Sequence, residues 1–345
     1  MNNHTHTRLR IAAGIFAGAA VLSLCGCGKT TFSFPSSAPI QRTEFLLNTF
    51  VDIKIYDSND TSILDDAVAI CKDYESRFSR TLESSEVYQL NHRAQSTQSF
   101  TLSEDTSELL HTALYYSELS DGAFDITIEP ASSLWDFTSG TAVLPDPSLL
   151  EEAVSKVGYR NLVLDGSSLS FLSPDTSIDL GAIAKGYIAD QIRDHLIESG
   201  VNSAIINLGG NVLCVGSKPD GNPFKIGLQK PFAEQSETFA TVVADDMSVV
   251  TSGVYERHFE LDGRNYHHIL NPKTGYPYDN GLISVTILSK NSADGDGLST
   301  TCFSLGLESG MDLVNSLDDV YACFIDEDYQ VYYSDGMKDY IIDEK

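Results

Sequence analysis

Apolar and polar positions alternate along residues 45–56, FLLNTFVDIKIY, where Val51, Ile53 and Ile55 interleave with Asp52 and Lys54. A period of two predicts a strand with one buried face. The period becomes helical over 62–78, with Ile63, Ala67, Ile70, Cys71, Tyr74 and Phe78 on one side. A second helix is expected over 104–120, stopped by Asp121-Gly122. LVLDGSSLSF (162–171) and FELDGRNYHHI (259–269) read as hairpins turning at Asp165-Gly166 and Asp262-Gly263. IDLGAIAKGYIADQIRDHLIESG passes from strand into helix and ends on Gly200, a C-terminal cap. AIINLGGNVLCVG makes two short strands across a glycine break, ISVTIL (283–288) another strand, and 294–307 a helix. YACFID and QVYYSD form a closing hairpin. Strands and helices are interspersed without a strict βαβ repeat, so the expected class is α+β, mixed sheets with packed helices.

The N-terminus follows a different pattern. Residues 1–10 carry Arg8 and Arg10 and no acid, and then come about 14 apolar residues, IAAGIFAGAAVLSL. That is short for a membrane-spanning helix and suits the core of an export signal. It ends in Leu24-Cys25-Gly26-Cys27, which resembles a bacterial lipobox, with Cys27 as the lipidated (palmitate-bearing) residue. An ordinary cleaved signal and an uncleaved anchor are the alternatives. Residues 1–27 are thus expected to be a lipoprotein signal peptide, and 28–43, rich in Ser, Thr and Pro, a flexible tether. Residues 44–345 form the folded domain, held at the extracytoplasmic face of the cell membrane.

Composition narrows the function classes. The chain has 345 residues, 42% hydrophobic and 21% charged, which is globular. Its net charge of -27 and lack of a basic stripe exclude a nucleic-acid partner. Six cysteines contain no CxxC pair, so zinc-ribbon and thioredoxin readings lack support. Four sit in apolar runs and read as small buried hydrophobes, with a disulfide among them left open.

Three segments carry candidate chemistry. In Asp179-Leu180-Gly181-Ala182-Ile183-Ala184-Lys185-Gly186, glycines precede a helix start and Lys185 lies about one turn in. Free N–H groups, positive helix potential and a mobile cation suit phosphate. Tight helix-on-strand packing through glycine is the competing reading. In Ala293-Asp294-Gly295-Asp296-Gly297-Leu298-Ser299-Thr300, Asp296 and Thr300 are four apart and share a helix face. Two hard oxygens plus substrate phosphates suit Mg2+; an N-capping cluster is the alternative. In Thr251–Arg257 and HHILNPKTGYP (267–277), His267 and His268 are neighbours that on a strand would face opposite ways.

In this order, SRFSRTLESSEVYQLN, SDGAFDITIEPASSLWDF, DLGAIAKGYIAD, INLGGNV, TSGVYERHF, HHILNPKTGYP and GDGLSTTCFSLG resemble the ApbE family, bacterial FAD:protein FMN transferases. The resemblance runs from residue 44 to the C-terminus. It implies a T-fold-like α+β architecture, FAD as substrate and Mg2+ at the diphosphate. By the same resemblance the metal is held by the Ala182 carbonyl, Asp296 and Thr300, with Ser299 beside them. Asp179 and Lys185 contact FAD near the diphosphate and ribose. Ala123, Phe124 and Asp125 line the flavin site, with Leu47, Thr81 and Ile269 as further contacts. His268 and Asp296 are candidate bases. The sequence departs from the family at Leu47-Asn48-Thr49 (Met-Gly-Thr is common), at Val254 (usually polar) and at Asn271 (usually Asp).

The reaction implied is phosphoryl transfer. A threonine or serine of a partner, marked by an Asp-Gly-x-Ser/Thr-x-Thr sequence, takes FMN from FAD and AMP leaves. Partners implied are flavoprotein subunits of membrane redox complexes or secreted flavoproteins. An FAD pyrophosphatase and a non-catalytic flavin-binding lipoprotein are the rival readings.

Overall fold

The computed structural model describes residues 38–94, 96, 97, 99–234 and 236–344. The expected signal peptide, Cys25, Cys27 and most of the expected tether lie outside them. Among the described residues no helix is long and apolar enough to cross a membrane.

The first half runs β1 (Ile40–Leu46), β2 (Thr49–Ile55), α1 (Thr61–Phe78), α2 (Glu86–Asn91), β3 (Ser99–Thr101), α3 (Glu104–Leu119), α4 (Glu129–Ser132), α5 (Pro147–Val154), β4 (Leu162–Asp165) and β5 (Ser168–Phe171). Then come α6 (Ala184–Glu198), β6 (Ala204–Leu208), β7 (Asn211–Val215), β8 (Phe224–Gln229), β9 (Thr238–Ala244), β10 (Ser248–Gly253), β11 (His258–Leu261) and β12 (Arg264–His267). The chain ends with β13 (Leu282–Ser289), α7 (Ser292–Leu305), α8 (Leu307–Asn315), β14 (Tyr321–Asp326), β15 (Val331–Tyr333) and β16 (Ile341–Glu344).

An eight-stranded sheet, ordered β1-β2-β6-β7-β10-β13-β14-β15, is the frame. Its pairs are antiparallel, so the α+β class holds. β13 is buried at every residue, which a strand can be only if both its faces are covered. Val285 and Ile287 join α1, α3, α6 and α7 in one core. Leu288 joins Phe224, Leu228, Ala240 and Val242, from the small sheet β16-β9-β8 on the opposite face. Each fully buried Ile, Leu or Phe adds roughly 1.5–3 kcal/mol, and the layering lets one strand serve both cores.

Several elements differ from expectation. The run 45–56 is two strands, with Leu47 and Asn48 as a two-residue turn at φ 54° and 55°. Positive φ at both positions is the turn that suits strand twist, but nothing in the Leu47 side chain announces it. Residues 40–43, inside the expected tether, are ladder-paired to β2. Ile178–Leu180 forms no strand before α6. The β14–β15 hairpin does not close the chain, because β16 returns to pair with β9. The hairpins at Gly166 and Asp262-Gly263 and the break at Gly209-Gly210 form as expected. The cysteines Cys71, Cys214, Cys302 and Cys323 are buried and free, and burial pushes each thiol up to about 12.

Candidate functional site

The glycines of both motifs bring α6 and α7 together. A Cβ on Gly186 would lie 2.7 Å from the Ala293 Cα and overlap the Ser292 carbonyl. A Cβ on Gly295 would come within 2.6 Å of Val250 on β10. Gly297 takes the Tyr116 ring, whose hydroxyl donates to Asp294 at 2.7 Å. The tight packing expected through glycine is therefore present.

The packing puts Asp296 at the start of α6, whose N-cap Ile183 supplies no side-chain hydrogen bond. The Gly186 amide donates to Asp296 Oδ2 at 2.6 Å, and Asn211 Nδ2 donates to Oδ1 at 2.9 Å. Asp296 is thus no cap for α7. That duty falls to Asp190 of α6, which accepts from the Ser292 and Ala293 amides at 2.9 Å. Burial pushes the Asp190 carboxyl up to about 6.

Asp296 borders a cavity of about 1190 Å³. That exceeds the roughly 300–1,000 Å³ of a typical small-molecule pocket. Ala182, Asp296 and Thr300 share its wall with Asp179, Lys185 and His268. Leu47, Thr81, Ala123, Phe124, Asp125 and Ile269 line it as well. Ser299 does not: its buried hydroxyl meets Ser252 Oγ at 2.8 Å and donates to the Asp296 carbonyl at 3.1 Å. Thr300 Oγ1 sits 3.2 Å from the same Ser252 hydroxyl.

Several lining groups are already engaged. Asp125 accepts from the Thr127 amide and hydroxyl and from the Tyr159 amide at 2.6–2.9 Å. It therefore holds the loop that presents Ala123 and Phe124. Asp179 accepts from Gly181 N at 2.9 Å and Ser132 Oγ at 3.0 Å, and pairs with Arg80 Nε at 3.2 Å. Lys185, in contrast, has no ion pair among the described residues.

The two histidines separate, because β12 ends at His267 and His268 lies just beyond it. His267 is buried, 3.0 Å from the Tyr278 carbonyl, and its Nδ1 accepts from Ile269 N at 3.3 Å. His268 lines the cavity with its Nδ1 buried and unpartnered. Burial first, then the neighbouring Arg257 charge, lowers its pKa to about 3. The ring is neutral at pH 7.

Two departures from the family pattern also find their place. Val254 is buried at 7% exposure, packs in the main core and does not line the cavity. Asn271 Oδ1 accepts from Lys273 N at 2.8 Å, the turn bond an Asp would make.

Arg80, Arg257 and Glu256 are wall residues that sequence reasoning passed over. Each stood inside a motif, but nothing in its spacing separated it from a surface charge.

A helix start held by Asp296 of α7, a lysine with no ion pair among the described residues and several hard oxygens share the wall of one large cavity. The chain belongs to the ApbE family, whose match covers residues 47–325. It is 37% identical over 291 residues to an FAD:protein FMN transferase of Klebsiella pneumoniae, covering 84% of this chain and 90% of that protein. It is 32% identical to one of Treponema pallidum over 93% of this chain and 94% of that protein. The flavin transferase ApbE of Vibrio cholerae superposes with a TM-score of 0.79 at 26% identity, over 89% of this chain and all of that one. The ApbE protein of Thermotoga maritima gives 0.80 at 30%, over 88% of this chain and all of that one.

Proposed function

We propose that this protein is an FAD:protein FMN transferase, cleaving FAD and joining its FMN half to a threonine or serine hydroxyl of a partner flavoprotein, with AMP released. The observation that carries this reading is the shared wall of Ala182, Asp296, Thr300, Lys185 and the α6 start. Relatives bearing this activity match the chain over most of its length.

The wall is acid-rich: seven carboxylates stand against three cations, Arg80, Lys185 and Arg257. A diphosphate entering it meets net repulsion unless a divalent cation comes with it. The donors present, a carboxylate, a hydroxyl and a carbonyl, are the hard oxygens that Mg2+ takes. No group of three or more His, Cys, Asp or Glu among the described residues could cage a metal, so substrate phosphates and water would complete the shell. Ala182, Asp296 and Thr300 would hold the ion, which neutralises diphosphate charge when bound.

The chain's own groups do the rest. Lys185, at the positive end of α6, holds phosphate oxygens and stabilises charge on the leaving AMP. Gly186 and Asn211 keep Asp296 aimed. The loop pinned by Asp125 places Ala123 and Phe124 against the flavin half. We further propose that Cys27 anchors the domain by lipid at the outer face of the cell membrane, supported by the lipobox-like sequence before it.

The test uses the chain from residue 30, FAD, Mg2+ and a peptide carrying Asp-Gly-x-Ser/Thr-x-Thr, followed by mass spectrometry. A gain of one FMN on the peptide, abolished by EDTA, is expected. Free FMN and AMP beside unmodified peptide would replace the transferase with a pyrophosphatase.

A further inference from the structure

Four consecutive residues of β8, 226–229, line the large cavity. Side chains alternate between the two faces of a strand, so four in a row border one space only where the strand's edge faces it. That edge is open. In the sheet β16-β9-β8 the strand pairs with β9 alone. Among the described residues no other backbone group bonds to the main chain of 224–229. Alternate residues of an antiparallel strand point N–H and C=O away from their partner, so β8 offers the cavity a row of unpaired donors and acceptors. β1, β15 and β16 are edge strands too, and none of them lines it.

The open edge is one wall of a groove. Asp52, Asn207, Val212 and Val249 line the same cavity. They are neighbours in register across β2, β6, β7 and β10, so they face one way. Val249 and Leu228 share a core, which puts β8 over that face. On the far rim Phe50 is 68% exposed and stands edge-on to Phe45. A large aromatic pair left in water beside a reaction space marks a surface that another protein covers. The groove leads to the site, because Phe232, just after β8, meets the rings of Tyr255 and His258 on either side of the wall residue Arg257. None of the residues placed at FAD or the metal stands on β8.

Charge sets this arm apart as well. From Lys218 to Lys230 the chain carries three lysines and one acid, Asp220, on a molecule of net charge -27. Lys225 and Lys230 are exposed, one near each end of β8.

We propose that β8 receives the acceptor segment as an added strand, with the Asp-Gly-x-Ser/Thr-x-Thr backbone paired along the open edge and its acid beside one of the two lysines. The proposal rests on the transferase reading and deepens it by naming where the second substrate binds. The six residues of β8 span roughly 20 Å, the length of a six-residue acceptor stretch in extended form. Main-chain pairing supplies affinity that tolerates variable side chains, and a positive edge on an acidic molecule selects an acidic segment.

The test uses acceptor peptides N-methylated at one backbone amide at a time, which removes a donor and leaves every side chain intact. Transfer with FAD and Mg2+ is followed by mass spectrometry, and FAD affinity is measured alongside. The peptide KM is expected to rise about tenfold or more for methylation at alternate amides and to stay within about twofold at the amides between them. The double variant Lys225→Glu/Lys230→Glu should raise the peptide KM about three- to tenfold, an effect that fades in high salt, with FAD affinity within about twofold of wild type. An even response along the peptide, or one confined to the amides beside the modified hydroxyl, overturns strand addition while the transferase reading stands. A dimer that forms with rising protein concentration and slows transfer gives the edge to a second copy of the chain instead. If wild type modifies no peptide, methylated or not, the transferase reading falls and this proposal with it.

Discussion

The Gly186 amide lies 2.6 Å from Asp296 Oδ2 and donates to it, tying the first turn of α6 to the middle of α7. The bond fixes one carboxylate oxygen while Asn211 fixes the other. A carboxylate accepts through about four lone pairs, so Asp296 can be held by the protein and still face a cation.

Asp296→Asn tests both duties. The amide nitrogen must face either Gly186 N–H or the Asn211 NH₂, donor against donor. One buried donor is left unsatisfied, which costs about 1–3 kcal/mol. Transfer should fall by about 10²–10³-fold through lost charge at the diphosphate. Thermal melts and the peptide assay read the two effects. A variant that melts normally but fails to transfer would show that Asp296 serves charge alone.

Gly186→Ala reverses an ordinary expectation. Inside a helix this change normally stabilises by about 1 kcal/mol. Here the new methyl would meet backbone atoms of Ser292 and Ala293, which cannot rotate away. Destabilisation by about 1–3 kcal/mol is expected, with loss of transfer as α6 and α7 separate. Denaturant unfolding reads the sign, and a stabilised variant would mean that the helices are not in register as described.

At the β1–β2 turn, Leu47 and Asn48 both carry positive φ. That backbone costs a non-glycine residue about 1–2 kcal/mol. Asn tolerates it better than Leu, whose side chain lines the cavity. Leu47→Asn should therefore raise stability by about 0.5–1 kcal/mol and weaken FAD binding, while Asn48→Gly should stabilise by a similar amount. Calorimetry and flavin fluorescence check the pair. Unchanged FAD affinity in Leu47→Asn would remove Leu47 from the flavin site.

This turn shows why the sequence was only partly legible. Alternation locates Val51, Ile53 and Ile55 correctly as one buried face, but a leucine carries no turn signal, so the hairpin was read as one strand. Asp262-Gly263 and Gly209-Gly210, with residues that favour positive φ, were legible. The site divides the same way. Asp296, Thr300, Ala182 and Lys185 stand in motifs whose glycines mark close approach, and one cavity brings them together. Ser299 shares the motif but turns into the core, because residues one apart on a helix point about 100° apart. Arg80, Arg257 and Glu256 were illegible, because only the assembled wall shows which charges inside the motifs line the cavity.

His267 sets an acid limit on the fold. Its ring is neutral, with Nε2 donating to the Tyr278 carbonyl and Nδ1 accepting from Ile269 N. Burial lowers its pKa to about 4, against about 6.5 in the unfolded chain. Below pH 6.5 the unfolded state takes up a proton that the folded state refuses. Stability from this group is therefore complete above pH 6.5 and is lost as pH falls toward 4. Between pH 7.5 and 4.5 the loss is about 2.5 kcal/mol. His267→Gln keeps a side chain that can donate and accept but does not titrate. It should start less stable at pH 7.5 yet lose about 2 kcal/mol less than wild type on acidification. Urea unfolding of both proteins at the two pH values measures the difference. Parallel losses would mean that the acid sensitivity lies elsewhere, with His268 or Asp190 the next groups to replace.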